Sequence, residues 1–428
     1  MMDIPARCTF YYIVFFFTSF ISIGQPPSAN DLQAKALTDK VDSIVASAIS
    51  QKAFPGCVVY VAHKGKPIFH KAYGFHTYDN KLEVKTSTIY DLASVTKVTG
   101  ATLSLMKLYE ENKLGLDNEL GEYVSGLSAP IAKLNIRELL AHQSGLEPHI
   151  LFYDKIRVDG QYMNKTLKHV RTIDYNWRIG RSLYAYYDVY PVLKTFINKA
   201  EVSKTKKYRY SGLFFYVVPE LVKNLTKISF ERYLYQMFYD PLGAETLRFN
   251  AGRKFEDHEI APTEVDALFR MELVHGNVHD EGAQLMRGVS GNAGLFSNAE
   301  DLAKVWQMLL NDGVYEGERY FKPQTINLFT SVQYPNNDNR RGLGFDKILF
   351  DYNPILSHMA ESASPRSYGH TGFTGTIVWA DPDEGLLFIF LSNRVHPSRA
   401  PNMLSKLRVR PEIHQAFYDY LEKERKEE

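Results

Sequence analysis

The sequence predicts an α+β fold in which both chain ends supply strands to one antiparallel sheet, with a helical region between them. A hairpin pattern near each end and three-to-four apolar spacing through the middle lead to that layout. Size agrees: 428 residues, 45% of them hydrophobic, suffice for one large domain.

Residues 1–24 read as a signal peptide. Arg7 is the positive flank, Phe10 to Ile23 is an apolar run, and Ser22 and Gly24 place small residues before a cut at Gln25. The run is shorter than the ~20 residues a spanning helix needs, so secretion into the periplasm is expected. An uncleaved anchor is the alternative. Residues 25–36 are polar and read as a linker, and 37–428 as the folded domain. Removal of the leader, with Cys8, leaves Cys57 alone, which argues against a disulfide framework or a cysteine–zinc site.

Within the domain, Leu37, Val41, Ile44, Val45 and Ala48 have helical spacing. Cys57 to Ala62 and Ile68 to Tyr73 flank the turn Lys64-Gly65-Lys66-Pro67 and form the first hairpin. Val95, Val98, Ala101, Leu105 and Leu108 mark a helix that Ser94 opens. A short helix spans 136–141 and stops at His142-Gln143-Ser144-Gly145. Ser229 caps another, and Asn298 with Asp301 resembles a capping box for a helix running to Gly313. Thr376 to Ala380 and Leu386 to Leu391 make the second hairpin, followed by an amphipathic helix over 411–424. Residues 150–207 are aromatic and basic. Tyr153, Tyr162, Trp177, Tyr184, Tyr186, Tyr187 and Tyr190 either line a cleft for a glycan or peptide or form the core of an inserted region.

Lys+Arg 50 against Asp+Glu 49 leaves almost no net charge, which argues against nucleic acid as the main partner. The glycines at 288, 291 and 294 do not make a phosphate-binding loop. His275 and His279 are four apart, but Gly276-Asn277 breaks any helix between them, so a structural loop is read there and no metal site. No cofactor is expected.

Three motifs carry chemistry. Ser-x-x-Lys occurs at Ser94/Lys97, Ser104/Lys107 and Ser203/Lys206. On the motif alone, a plain N-cap serine with a surface lysine is the commoner meaning. Ser104 lies inside the Ser94 helix and Ser203 in a lysine-rich polar run. Ser94 follows the extended stretch Ile89 to Leu92 and begins a helix. Its i+3 lysine shares that face, and the helix N-terminus favours a developing oxyanion. A serine needs a base to become a nucleophile, and Lys97 can serve. His370-Thr371-Gly372 precedes the second hairpin. Gly372 would let a substrate backbone approach, and the Phe373 amide could pair with that of Ser94 as an oxyanion hole. His370 offers a cationic or donor group to a substrate carboxylate. Tyr210-Ser211-Gly212 lies between the other two motifs, and its phenol could relay a proton. As one of 28 tyrosines, Tyr210 by itself reads first as a core residue, and the triplet gains weight only from its place between the other two.

In order and spacing the three motifs resemble the serine β-lactamase and penicillin-binding-protein superfamily, nearest its class C β-lactamase-like branch. Ile136 to Leu146, Pro241-Leu242-Gly243 and Gly291 to Ser297 agree, so the resemblance covers roughly residues 40–400. It implies a β-lactamase/transpeptidase-like fold with a mostly helical lobe and the site between sheet and lobe. It also implies Ser94 as nucleophile, Lys97 as base for acylation, and Tyr210 as the group that protonates the leaving group and activates water. The family's tyrosine motif usually ends in asparagine, which bonds the substrate amide and helps position the lysine. Gly212 stands there.

The function expected is acyl-enzyme hydrolysis of D-amino-acid peptides of the cell wall. Alternatives are a carboxylesterase or weak β-lactamase, and a non-catalytic peptidoglycan-binding module of the same fold. The expected partners are a small peptide, ester or muropeptide, with peripheral envelope contact and a monomeric chain.

Overall fold

The computed structural model describes Met1 and residues 29–427. The signal-peptide reading of residues 1–24 lies outside the described residues beyond Met1. Helix α1 (Ala29–Ser50) begins inside the segment read as a linker. Residues 29–36 are polar but rich in Ala, Leu, Gln and Lys, good helix formers that extend the amphipathic run behind them.

The two hairpins meet in one five-stranded antiparallel sheet. The strands are β1 (Gly56–His63), β2 (Lys66–Gly74), β3 (Tyr368–Thr371), β4 (Ile377–Asp381) and β5 (Leu386–Ser392), in the spatial order β3-β4-β5-β1-β2. β1 and β5 join the chain ends, with Cys57 opposite Ser392 and His63 opposite Leu386. Successive side chains point to opposite faces, and both faces are covered. Val58, Tyr60, Ile389 and Leu391 join the large core of the helical lobe. Cys57, Val59, Phe388 and Phe390 pack under α1 and the C-terminal helix α5 (Val409–Glu427). The Cys57 thiol is free and buried. Double coverage explains why these strands read as near-continuous apolar runs.

Between the hairpins lie α2 (Leu103–Glu110), α3 (Leu213–Thr226) and α4 (Ala299–Leu310). A small three-stranded sheet of Tyr90–Asp91, Leu295–Ser297 and Arg248–Phe249 delivers the chain to Ser94. Asn298 caps α4 by accepting from the Asp301 amide at 2.8 Å. The box is not reciprocal, because the Asp301 carboxylate turns to Thr246 and Lys304. Ser229 precedes its helix but makes no side-chain cap bond.

The aromatic region divides between the two readings. Tyr175–Gly180 and Leu183–Tyr186 form a hairpin whose Trp177, Leu183 and Ala185 enter the main core. Tyr153 lines the cavity beside Ser94, and Tyr187 stays exposed. Among the described residues, no helix is long and apolar enough to cross a membrane.

Candidate active site

Ser94 follows a strand that is tied down on both sides. The Asp91 carboxylate is buried and accepts from the amides of Ala93 at 2.8 Å and His279 at 2.7 Å. Burial raises its pKa, against the pull of those two amides. Ala93 adopts φ +47°, a left-handed conformation uncommon outside glycine, and the chain turns there so that Ser94 heads the helix. The first stretch of that helix, Lys97–Thr102, is a fully buried π-helical turn. Such turns recur at functional sites. Its Thr99 is held by Tyr239 Oη, donating to the carbonyl at 2.8 Å, and by Trp306 Nε1, donating to the hydroxyl at 3.1 Å.

Lys97 is buried, and its Nζ lies 2.9 Å from Ser94 Oγ and 2.9 Å from the Asn292 carbonyl oxygen. The rings of Tyr210 and Phe215 stand 5.6 Å from the amine. Tyr210 Oη reaches Ser94 Oγ at 3.4 Å, a long contact but one that places the phenol beside the nucleophile. Lys97, one turn along the helix, and Tyr210, 116 residues beyond Ser94, therefore converge on the serine oxygen.

The turn after residue 141 builds the support for Tyr210. Backbone bonds run from Arg209 to His142 and from Gly212 to Pro148, both at 2.9 Å. Ser211 Oγ donates to the Glu147 carbonyl, and the Ser211 amide donates to His142 Nδ1 at 3.1 Å. That bond makes Nδ1 an acceptor and leaves the ring proton on Nε2. The His142 ring lies 4.5 Å from that of Tyr210. Burial, then the nearby Arg341 and Lys97 charges, hold its pKa well below the ordinary value, so it is a neutral packing surface.

β3 ends beside the nucleophile. Thr374 Oγ1 donates to the Asp91 carbonyl at 2.7 Å and Thr376 Oγ1 to the Leu92 carbonyl at 3.0 Å. These bonds fasten the β3–β4 turn to the segment that carries Ser94. Gly372 is packed so closely that a Cβ there would lie 2.6 Å from the Leu92 oxygen and nearer still to Thr376 Oγ1. Thr371 is partly buried, Phe373 is exposed at 51%, and the Phe373 ring lines the cavity next to Ser94. Among the described residues, neither the Ser94 nor the Phe373 amide donates to a protein acceptor.

The environment of His370 does not fit the cationic role expected of it. The side chain is buried, and burial together with the Arg341 and Lys97 charges depresses its pKa to about 3, with Asp346 opposing. Its Nδ1 lies 2.7 Å from the Thr371 carbonyl oxygen, so the proton sits there and Nε2 is a bare acceptor. The buried cation beside Tyr210 is instead Arg341, whose guanidinium stands 5.2 Å from the phenol ring. Arg341 Nε donates to Tyr208 Oη at 3.3 Å and pairs with Asp346 at 3.2 Å. Burial opposes its charge, but Asp346 and Tyr208 outweigh that and raise its pKa.

The cavity in front of Ser94 holds about 230 Å³ and is also walled by Tyr216, His279, Asp280, Glu281 and Arg399. Asp280 accepts from Tyr216 Oη at 2.7 Å and from Asn292 Nδ2 at 3.2 Å. Arg399 is engaged twice, by Glu264 at 2.6 Å and Glu281 at 3.0 Å. Burial works against the Glu264 carboxylate, yet His279 and Arg399 hold its pKa down at about 2. His275 and His279 part company: one ring faces the Ile260 carbonyl and the other faces Glu264. Among the described residues, no group of three His, Cys, Asp or Glu could hold a metal ion.

Sequence reasoning missed Asn292, Arg341 and the acid–base wall of the cavity. Gly291-Asn292-Ala293 and the His142 turn stand out in sequence as matching stretches but without roles. Arg340-Arg341 before Gly342 carries no signal that would separate it from a solvated pair.

A beta-lactamase family profile matches residues 41–409. The chain is 31% identical to an Escherichia coli O157:H7 protein named "Putative D-alanyl-D-alanine carboxypeptidase", over 82% of each chain. Its fold is similar to EstCE1, a hydrolase with promiscuous acyltransferase activity. That match has a TM-score of 0.65 at 18% identity and covers 90% of this chain and 100% of the other. It is also similar to the octameric penicillin-binding protein homologue from Pyrococcus abyssi, with a TM-score of 0.61 at 20% identity, covering 86% and 76%.

Proposed function

The chain belongs to the beta-lactamase family of serine hydrolases, and on that premise we propose that it cleaves D-amino-acid peptides of the cell wall through an ester on Ser94. The observation that carries the reading is the convergence of Lys97 Nζ at 2.9 Å and Tyr210 Oη at 3.4 Å on Ser94 Oγ. Lys97 takes the serine proton as Oγ attacks the carbonyl. The Ser94 and Phe373 amides receive the oxyanion. Tyr210 protonates the leaving amine and then draws a proton from the water that releases the acyl group. Support for the substrate class comes from the relative named for D-alanyl-D-alanine. Such a substrate lies outside the cytoplasm, which agrees with a cleaved leader and a periplasmic site of action.

A second reading, a carboxylesterase, is favoured by two observations. Gly212 offers no side-chain amide to a peptide substrate. His370 is neutral and buried, while Arg399 in the cavity wall is already paired with Glu264 and Glu281. An ester without a carboxylate needs neither group.

Intact mass after incubation with a penicillin, beside Ser94→Ala, tests the nucleophile. An adduct in the wild type alone supports it. Turnover of a D-Ala-D-Ala peptide and of a small acyl ester then separates the readings. Turnover of the ester alone would overturn the peptidase. Unchanged turnover in Ser94→Ala would overturn both.

A further inference from the structure

We propose that a second cavity, formed where the aromatic hairpin meets the helical lobe, binds a small oxyanion-bearing ligand at Arg253 and Arg287. The cavity holds about 720 Å³ and shares no lining residue with the one at Ser94. That volume lies within the range of small-molecule sites, roughly 300–1,000 Å³.

Trp177 forms its inner wall. The Arg253 guanidinium lies 3.9 Å from the indole centroid and that of Arg287 lies 4.9 Å from it. Trp177 is only 5% exposed, and its Nε1 is buried without a hydrogen-bond partner. Among the described residues, neither guanidinium makes a hydrogen bond or ion pair to an acid or carbonyl, although the charge of Glu231 reaches Arg253. The acids on the rim are otherwise engaged. Glu220 takes Lys194 and Tyr190, at 2.8 and 2.9 Å, and Glu231 accepts from Tyr235 at 2.9 Å. Burial, then the charge of Arg287, lowers the pKa of Arg253, with Glu231 opposing.

Two like charges are thus held together on an aromatic face with their donors unused. Some exposed arginines elsewhere find acids, as Arg178 does with Glu272 and Arg366 with Asp383, but among the described residues no other cavity wall sets two guanidinium groups over one indole. Planar guanidinium forks match carboxylate and phosphate oxygens. Lys223 on α3 adds a third cation to the same rim. The shared ligand chemistry is one oxyanion on a small, sugar-sized organic body. Either a carboxylate or a phosphate can supply it.

The test is calorimetric titration of the full chain with N-acetylmuramic acid and, separately, glycerol 3-phosphate, with uncharged N-acetylglucosamine as control. Trp emission gives a second readout, because Trp306 and Trp379 are fully buried and Trp177 is the ring at the site. Saturable binding of either acidic probe is expected, weakened at least tenfold in Arg253→Gln/Arg287→Gln and retained in Ser94→Ala. Binding of the sugar acid alone assigns a carboxylate ligand, and of the phosphate alone a phosphate ligand. No saturable binding of either, equal binding of the uncharged sugar, or full affinity in the double variant overturns the proposal. Lys223→Gln, on an exposed helical position, repeats the test at smaller amplitude should the double variant not fold. Hydrolysis is not read, so failure here leaves the Ser94 chemistry standing.

Discussion

Gly372→Ala adds one methyl at the tightest point beside the nucleophile. The new Cβ would lie 2.6 Å from the Leu92 oxygen and closer to Thr376 Oγ1. Leu92 belongs to the backbone that positions Ser94, so relief requires the β3–β4 turn to retreat. Overpacking costs about 1–3 kcal/mol. Retreat also breaks the Thr374 and Thr376 bonds to the Asp91 and Leu92 carbonyls, at about 1 kcal/mol each. The expected destabilisation is therefore about 3–5 kcal/mol. Acylation should fall further than stability alone predicts, because a misplacement of ~1 Å can cost ~100-fold in rate. Gly212→Ala is the matched control. Its Cβ would meet nothing nearer than the Pro148 oxygen at 3.9 Å, and its φ of −84° suits any residue, so the change should stay within about 0.5 kcal/mol. Urea denaturation and the rate of acyl-enzyme formation, followed by mass, compare the two. Equal stability and equal acylation in both variants would refute the assignment of the β3–β4 turn as the clamp on Ser94.

Lys97→Ala should slow acylation by ~100- to 10,000-fold while leaving the fold intact by circular dichroism; a normal acylation burst would contradict the base assignment. Gly212→Asn should raise labelling by β-lactams, since the site has room for a side chain and lacks the amide; unchanged labelling would count against that. His370 binds its proton at about 3 when folded against an ordinary 6.5. The unfolded chain therefore takes up the proton first as pH falls. Stability should be full above pH 6.5 and be lost towards pH 3, at up to about 1.4 kcal/mol per pH unit from this group. His370→Gln should make that loss shallower in urea midpoints taken across the window, and an unchanged slope would refute the buried neutral state.

The elements with a strong period or a turn signal are legible in the sequence. Both hairpins and the core helices stand close to their expected bounds, because apolar alternation and Gly/Pro turns are local. That Lys97 stands beside Ser94 is legible in the local i+3 spacing, but that Tyr210 joins them is legible only through motif order. His370 shows the limit. A histidine in that triplet reads as a donor or cation, but its protonation depends on burial and on Arg341, Lys97 and Asp346, which only the fold brings to it. The linker reading fails for a simpler reason. Polarity is not absence of structure, and residues such as Gln33, Ala34 and Lys35 continue a helix readily.

The junction of β1 with β5 carries a consequence for biogenesis. On one edge residues 57–63 pair locally with β2, but on the other their partners come only at 386–392, and the turn that clamps Ser94 belongs to the same late segment. Contacts this distant in sequence form slowly. A chain emerging from synthesis therefore holds its serine and lysine for nearly its whole length without the strand that completes the site. A chain cut before residue 368 lacks the turn that holds the Ser94 segment, so on the proposed mechanism it should show no acylation.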